Sequence, residues 1–222
     1  MADISEKTIR EQVVPKQDAG VTIRESIPTE SSVLSLTSFH SFRVLSSLES
    51  GGGEADLFLL DDQGGRLILK LYRTGIQPKE DLLARIRIVS QKKPEHFVRI
   101  LDAGFDTETR RWYEVQEYIP HGSLQKHLKN EKSPAFIREL LHEIAPALQH
   151  LHENQIIHLD LKPSNILIRS EEPLDLVLTD FGISSLLNSD VSRKMTQVKG
   201  TPLYWSPESF TGIVGVEADF WA

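Results

Sequence analysis

The apolar pattern of this chain turns from mainly strand-like to mainly helical at Pro120-His121-Gly122, and that change constrains the architecture more than any other feature. Upstream lie short runs of β-favouring residues cut by glycine and aspartate. Phe42–Leu48, Asp56–Leu60 and Arg66–Tyr72 read as strands, separated by Ser50-Gly51-Gly52-Gly53 and by the turn Asp61-Asp62-Gln63-Gly64-Gly65. Short glycine turns join neighbouring strands as hairpins, so the sheet is antiparallel. Pro78 opens a helix over Lys79 to about Ser90, with Leu82, Leu83, Ile86 and Val89 at helical spacing. Two further strands follow, Phe97–Phe105 and Trp112–Tyr118, around the polar turn Asp106–Arg110. Downstream, Ser133 is a helix cap with Pro134 at the first position. Ile137, Leu140, Leu141, Ile144, Leu148 and Leu151 then form one stripe, which Pro146 should bend or break. Strand-like Ile166–Arg169 and Leu174–Thr179 come after it. The expected class is therefore α+β, in two lobes with a cleft between them, where ligands tend to bind.

Composition excludes several alternatives. The 222 residues include 39% hydrophobic side chains, enough for a sizeable core. A net charge of -7 argues against nucleic acid or an anionic membrane as partner. Zero cysteines remove disulfides, thiolate metal sites and a cysteine nucleophile together. No apolar run reaches the roughly 18 residues of a membrane-spanning helix. The start MADISEKTIR is acidic-polar where a signal peptide is basic and then apolar, so a cytoplasmic protein is expected. Residues 1–40 hold a single aromatic, Phe39, and show no sustained period. They read as a disordered arm whose Ser31–Ser38 stretch offers sites for phosphorylation.

Four signals carry chemistry. Gly51, Gly52 and Gly53 lie between two strands, and Lys70 stands among apolar neighbours on the third; each alone is ordinary. His158-Leu159-Asp160-Leu161-Lys162-Pro163-Ser164-Asn165 is more specific. It puts a carboxylate, an ammonium and an amide in one loop, as phosphoryl transfer requires. The carboxylate takes the proton of an attacking hydroxyl, the ammonium offsets phosphoryl charge, and the amide oxygen holds a metal. Thr179-Asp180-Phe181-Gly182 then follows a strand, where Asp180 can ligate magnesium.

These two motifs, followed in order by Gly200-Thr201-Pro202-Leu203-Tyr204-Trp205-Ser206-Pro207-Glu208, resemble the protein-kinase family from about residue 42 to the chain end. SGGGEADLFLL and Lys70-Leu71-Tyr72-Arg73 look most like the eukaryotic-like Ser/Thr kinases of bacteria. The resemblance implies a two-lobed fold with an N-lobe over about 41–116, a hinge at 117–121 and a mainly helical C-lobe from 122. It implies ATP and Mg2+ as cofactors and proteins bearing Ser or Thr as substrates. Asp160 matches the catalytic base, Lys162 the loop lysine of Ser/Thr kinases, and Asn165 and Asp180 the metal ligands. Lys70 matches the lysine on the α- and β-phosphates, and Gly51, Gly52 and Gly53 the loop covering them. Gln116 matches the gatekeeper, while the Glu117 carbonyl and Ile119 N–H match the adenine partners. Ile68 and Leu167 bound the adenine from its two faces, and Thr201 helps place the acceptor hydroxyl.

Departures from the family pattern are equally legible. The glycines are contiguous, and Ile68 replaces a small residue. Glu80 is the glutamate expected to pair with Lys70. Leu159 replaces the arginine that binds a phosphorylated activation segment, so activity should not depend on phosphorylating Thr196. Asp219 matches the aspartate bracing the catalytic loop. The chain is expected to be a C-terminally truncated kinase domain, with the stripe Ile137–Leu151 left uncovered. A pseudokinase acting as a binding module and a small-molecule phosphotransferase are the alternatives.

Overall fold

The structure is a computed structural model that describes residues 33–35, 41–48, 54–128, 133–181, 185–186, 193–194, 201–211 and 213–222. The N-terminal half builds one six-stranded antiparallel sheet from β1 (Val33–Ser35), β2 (Ser41–Leu48), β3 (Ala55–Asp62), β4 (Gly65–Tyr72), β5 (Ile100–Asp106) and β6 (Arg111–Glu117), in the order β1-β2-β3-β4-β6-β5. β1 falls within the stretch read from the sequence as a mostly disordered arm. Val33 pairs with Arg43, because an edge strand offers backbone donors and acceptors whatever the side chains of its partner. The rest of residues 1–40 lies outside the described residues, as do Gly51, Gly52 and Gly53.

β3 and β4 meet in a two-residue loop, Asp62 pairing with Gly65. Gln63 and Gly64 both take positive φ, at 48° and 96°, as the tight turn matching strand twist requires. Strand alternation then sorts the side chains. Leu69, Leu71, Tyr113 and Val115 join Phe42, Val44, Phe58 and Leu60 in a core on one face. Ile68, Lys70, Tyr72, Glu114 and Gln116 therefore share the other face, toward the second half of the chain. Helix α1 (Glu80–Lys92) packs against β5 and buries Leu82, Ile86 and Val89.

The second half centres on α3 (Pro134–Glu153), which follows the short α2 (Leu124–His127). The Ser133 hydroxyl accepts the Phe136 N–H at 3.1 Å with Pro134 at the first position, as the sequence predicts. Ser133→Ala is expected to cost about 1 kcal/mol, measured by urea unfolding. Pro146 neither breaks nor divides α3, since the carbonyl it leaves without an N–H belongs to His142 on the exposed side. The apolar stripe is buried only in its C-terminal half, by Ile144, Ala147, Leu148 and Leu151. Ile137 and Leu141 remain 43% and 61% exposed, because in that half of the helix Phe136 and Leu140 are the side chains turned to the core.

That core includes β7 (Ile156–Ile157) and the hairpin of β8 (Ile166–Glu171) and β9 (Leu174–Leu178). The sequence predicts a strand from Phe97, but β5 begins at Ile100 and Phe97 bridges to Leu178 instead. Val98 N–H donates to the Leu178 carbonyl at 3.0 Å and Leu178 N–H to the His96 carbonyl at 2.9 Å, tying the two halves together. Short pairs β10 (Ser185–Leu186) with β7, and β11 (Arg193–Lys194) with β12 (Ile213–Val214), precede helix α4 (Glu217–Trp221).

Candidate active site

The loop between β7 and β8 carries Asp160. Pro163–Asn165 forms a single 3₁₀ turn that brings Asn165 back toward it. The Asp160 carboxylate is met by four donors. Lys162 Nζ lies 2.6 Å and Asn165 Nδ2 3.1 Å from Oδ2, while Thr201 N–H and Oγ1 lie 3.0 and 2.9 Å from Oδ1. Asn165 Nδ2 also donates to the Asp160 carbonyl at 2.9 Å, and Lys162 Nζ reaches Thr201 Oγ1 at 2.8 Å. Four residues that the sequence assigns to one reaction thus form one closed network.

Asp219 supports that loop from below. Its fully buried carboxylate accepts the backbone N–H of His158 at 2.8 Å and of Leu159 at 2.9 Å, with His152 Nε2 at 2.9 Å. Leu159 needs this support, because it takes the left-handed φ of 66°. His158 is fully buried and its Nε2 lies 3.1 Å from the Thr179 carbonyl, while Thr179 N–H donates to the Asn165 carbonyl at 3.0 Å. These bonds join the Asp160 loop to the segment carrying Asp180, which itself sits at φ 63°. His150 turns away from His152, its ring 5.1 Å from that of His96.

Across the cleft, Lys70 Nζ lies 2.6 Å from Asp180 Oδ1. Burial works against the lysine charge, but the Asp180 and Glu114 carboxylates outweigh it and hold its pKa well above the usual range. For Asp180, burial alone would raise the pKa; the adjacent Lys70 reverses this and lowers it. Both groups are therefore charged at neutral pH.

Glu80 is not the partner of Lys70, which corrects the sequence expectation. It is the first residue of α1, is exposed, and accepts only a long contact of 3.5 Å from Gln77 Nε2. Position in the helix decides this: the face of α1 turned inward carries Leu82, Ile86 and Val89. A carboxylate not singled out in the sequence does face Lys70. Glu114 is its register partner on β6, is buried, and accepts the Tyr72 hydroxyl and, at 2.8 Å, Gln116 Nε2. Burial, and then the charge of Glu114, push the Tyr72 phenol far above its ordinary pKa. An ionisable residue on the inner face of a central strand was the signal available for finding it.

The residues that the resemblance assigns to adenine fall into two groups. Ile68 pairs with Gln116 in the sheet register, and Glu117 follows it on β6, held by Arg99 at 3.0 Å and Arg169 at 3.3 Å. Ile119 is buried with Val98 and Val177, and Leu167 packs against that cluster. Among the described residues no group of three or more His, Asp or Glu is arranged to hold a metal by itself. Magnesium at nucleotide sites takes one or two protein oxygens beside the phosphates, and the hard oxygens of Asn165 and Asp180 fit that need.

The protein kinase domain family matches residues 62–222. Among curated proteins, the chain is 31% identical over 176 residues to the serine/threonine-protein kinase shk1/pak1 of Schizosaccharomyces pombe, covering 77% of this chain and 26% of that one. It is 29% identical over 170 residues to the serine/threonine-protein kinase PrkC of Bacillus subtilis, covering 73% and 26%. The Cydia pomonella granulovirus kinase PK-1 shares its fold, with a TM-score of 0.67 at 21% identity, over 81% of this chain and 64% of that structure. The chain thus spans about a quarter of the length of these two curated relatives.

Proposed function

The chain belongs to the protein kinase domain family, and on that footing we propose that it transfers the γ-phosphoryl of ATP to serine or threonine hydroxyls of proteins. The observation carrying this reading is the Asp160 network, in which an ammonium, an amide and a threonine hydroxyl lie within 3.1 Å of the carboxylate that would serve as base. Asp160 accepts the proton of the acceptor hydroxyl as its oxygen attacks phosphorus. Lys162, fixed between Asp160 and Thr201, offsets charge on the phosphoryl in transit. Thr201 orients the carboxylate through two donors and helps place the acceptor.

Lys70 binds the α- and β-phosphates, with Gly51, Gly52 and Gly53 assigned by the resemblance to the phosphate loop, where bare backbone N–H groups suit such oxygens. Asn165 and Asp180 are the residues that would hold magnesium, which when bound neutralises phosphate charge. The Glu117 carbonyl and the Ile119 N–H pair with adenine, with Ile68 and Leu167 on its two faces. The domain is taken as residues 41–222 and the protein as cytoplasmic, where ATP is abundant. No helix among the described residues is long and apolar enough to cross a membrane.

The test is to incubate the purified chain with γ-labelled ATP and Mg2+, with and without a generic protein acceptor, beside Asp160→Asn. Label on serine or threonine, lost in the variant, is expected. Nucleotide binding without transfer would identify a pseudokinase, and label confined to a small acceptor a small-molecule phosphotransferase. Because Leu159 offers no cation to a phosphorylated activation segment, phosphorylating Thr196 should leave the rate unchanged. A large gain on phosphorylation, read in the same assay, contradicts that prediction.

A further inference from the structure

We infer that Glu114, on strand β6, is the residue that positions Lys70 for phosphate binding, so that the ion pair is supplied by the sheet rather than by helix α1. The inference rests on the kinase reading above and names a positioning residue within it. Three observations carry it.

The first is register. Lys70 and Glu114 are direct partners across the antiparallel β4–β6 pair, so their side chains leave the same face of the sheet side by side. The second is the way Glu114 is held. It is 5% exposed, and both carboxylate oxygens are occupied, Oε1 by the Tyr72 hydroxyl and Oε2 by Gln116 Nε2 at 2.8 Å. The Tyr72 ring in turn lies 4.9 Å below Lys70 Nζ, so one ring touches the ammonium and fixes the carboxylate beside it. A buried carboxylate requires a compensating cation, and Lys70 is the charged side chain opposite it.

The third observation is what α1 lacks. Its acidic residues are Glu80 and Asp81, both in the first turn and both exposed. Arg85 faces outward, donating to the Asn154 carbonyl at 3.2 Å and Gln155 Oε1 at 3.4 Å. The α1 side chains that border the pocket containing Tyr72, Glu114 and Phe181 are apolar, Leu82, Leu83 and Ile86. Helix α1 therefore contributes packing to this pocket and no carboxylate; the charged side chain bordering it at the helix start, Lys79, is a cation.

The consequence is functional. Asp180 holds Lys70 here, and it is also a residue assigned to magnesium. A lysine that must serve phosphates while Asp180 serves the metal needs a second carboxylate, and Glu114 is placed to be it. Because strand pairing is rigid, the pair does not depend on any rotation of α1.

The deciding experiment is a crystal structure of the chain with Mg2+ and a non-hydrolysable ATP analogue. Lys70 Nζ is expected within 4 Å of the Glu114 carboxylate, the ordinary reach of an ion pair. Pairing of Nζ with a residue of α1, or with no carboxylate, overturns this inference and leaves the kinase reading standing. Failure of the analogue to bind removes both. In solution, Glu114→Gln keeps the size and one acceptor oxygen but loses the charge, the other oxygen becoming a donor. It should lower kcat on the order of 10²-fold, as misplacement of a binding group does, with a smaller change in the KM for ATP. Glu80→Gln should leave both unchanged. Full kcat in Glu114→Gln, or an equal loss in Glu80→Gln, refutes the assignment; if Glu114→Gln does not fold, the wild-type complex decides.

Discussion

Asp160→Asn is expected to slow phosphoryl transfer by about 10²–10⁴-fold, the range a positioned general base supplies. The amide is nearly the size of the carboxylate but cannot take the proton of the acceptor hydroxyl. It also turns an acceptor into a donor among four donors, two of them on Thr201 and the others on Lys162 and Asn165. Lys162 loses the anion 2.6 Å away that holds it in place, so charge neutralisation suffers along with proton transfer. The rate is read at saturating ATP and acceptor, with a thermal melt beside it to separate chemistry from folding. A variant keeping more than a tenth of the wild-type rate would remove Asp160 from the role of base.

Asp219→Ala should be the most destabilising single change at the site, costing about 3–5 kcal/mol. The residue is on α4, far along the chain from the loop, yet its carboxylate satisfies two backbone N–H groups and His152 from a fully buried position. Each orphaned N–H costs about 1–3 kcal/mol. Leu159 adds to the loss, because its left-handed backbone at φ 66° is held by one of those bonds. Urea unfolding measures the effect, and phosphoryl transfer should fall with it as the Asp160 loop relaxes. Asp219→Asn retains one acceptor oxygen and should lose less. A cost below about 1 kcal/mol for the alanine variant would mean that water replaces the carboxylate, and that the loop holds its own shape.

Much of this was legible in the residues themselves. The strands of the sheet, the cap of α3 and the two-residue turn at Gln63-Gly64 follow from local patterns that tertiary packing only confirms. Asp160, Lys162 and Asn165 come together because they are close in sequence, within reach of one turn. Local pattern misled where burial was decided elsewhere. Ile137 and Leu141 carry the same helical signal as Leu148 and Leu151, but only the latter pair meets β-strand side chains. Val33–Ser35 is too short a run to predict a strand alone, and pairs because β2 presents a free edge.

The sequence alone determined which groups lie together, since a carboxylate, an ammonium and an amide sit in short motifs whose spacing is set by covalent geometry. Only the tertiary structure decided which carboxylate faces Lys70. Glu80 is the nearer in sequence and lies on the outside of a helix, whereas Glu114 is brought opposite by strand register. A buried charge takes its partner from whatever the fold places across from it, and strand pairing, unlike sequence separation, puts two side chains on one face a few ångströms apart.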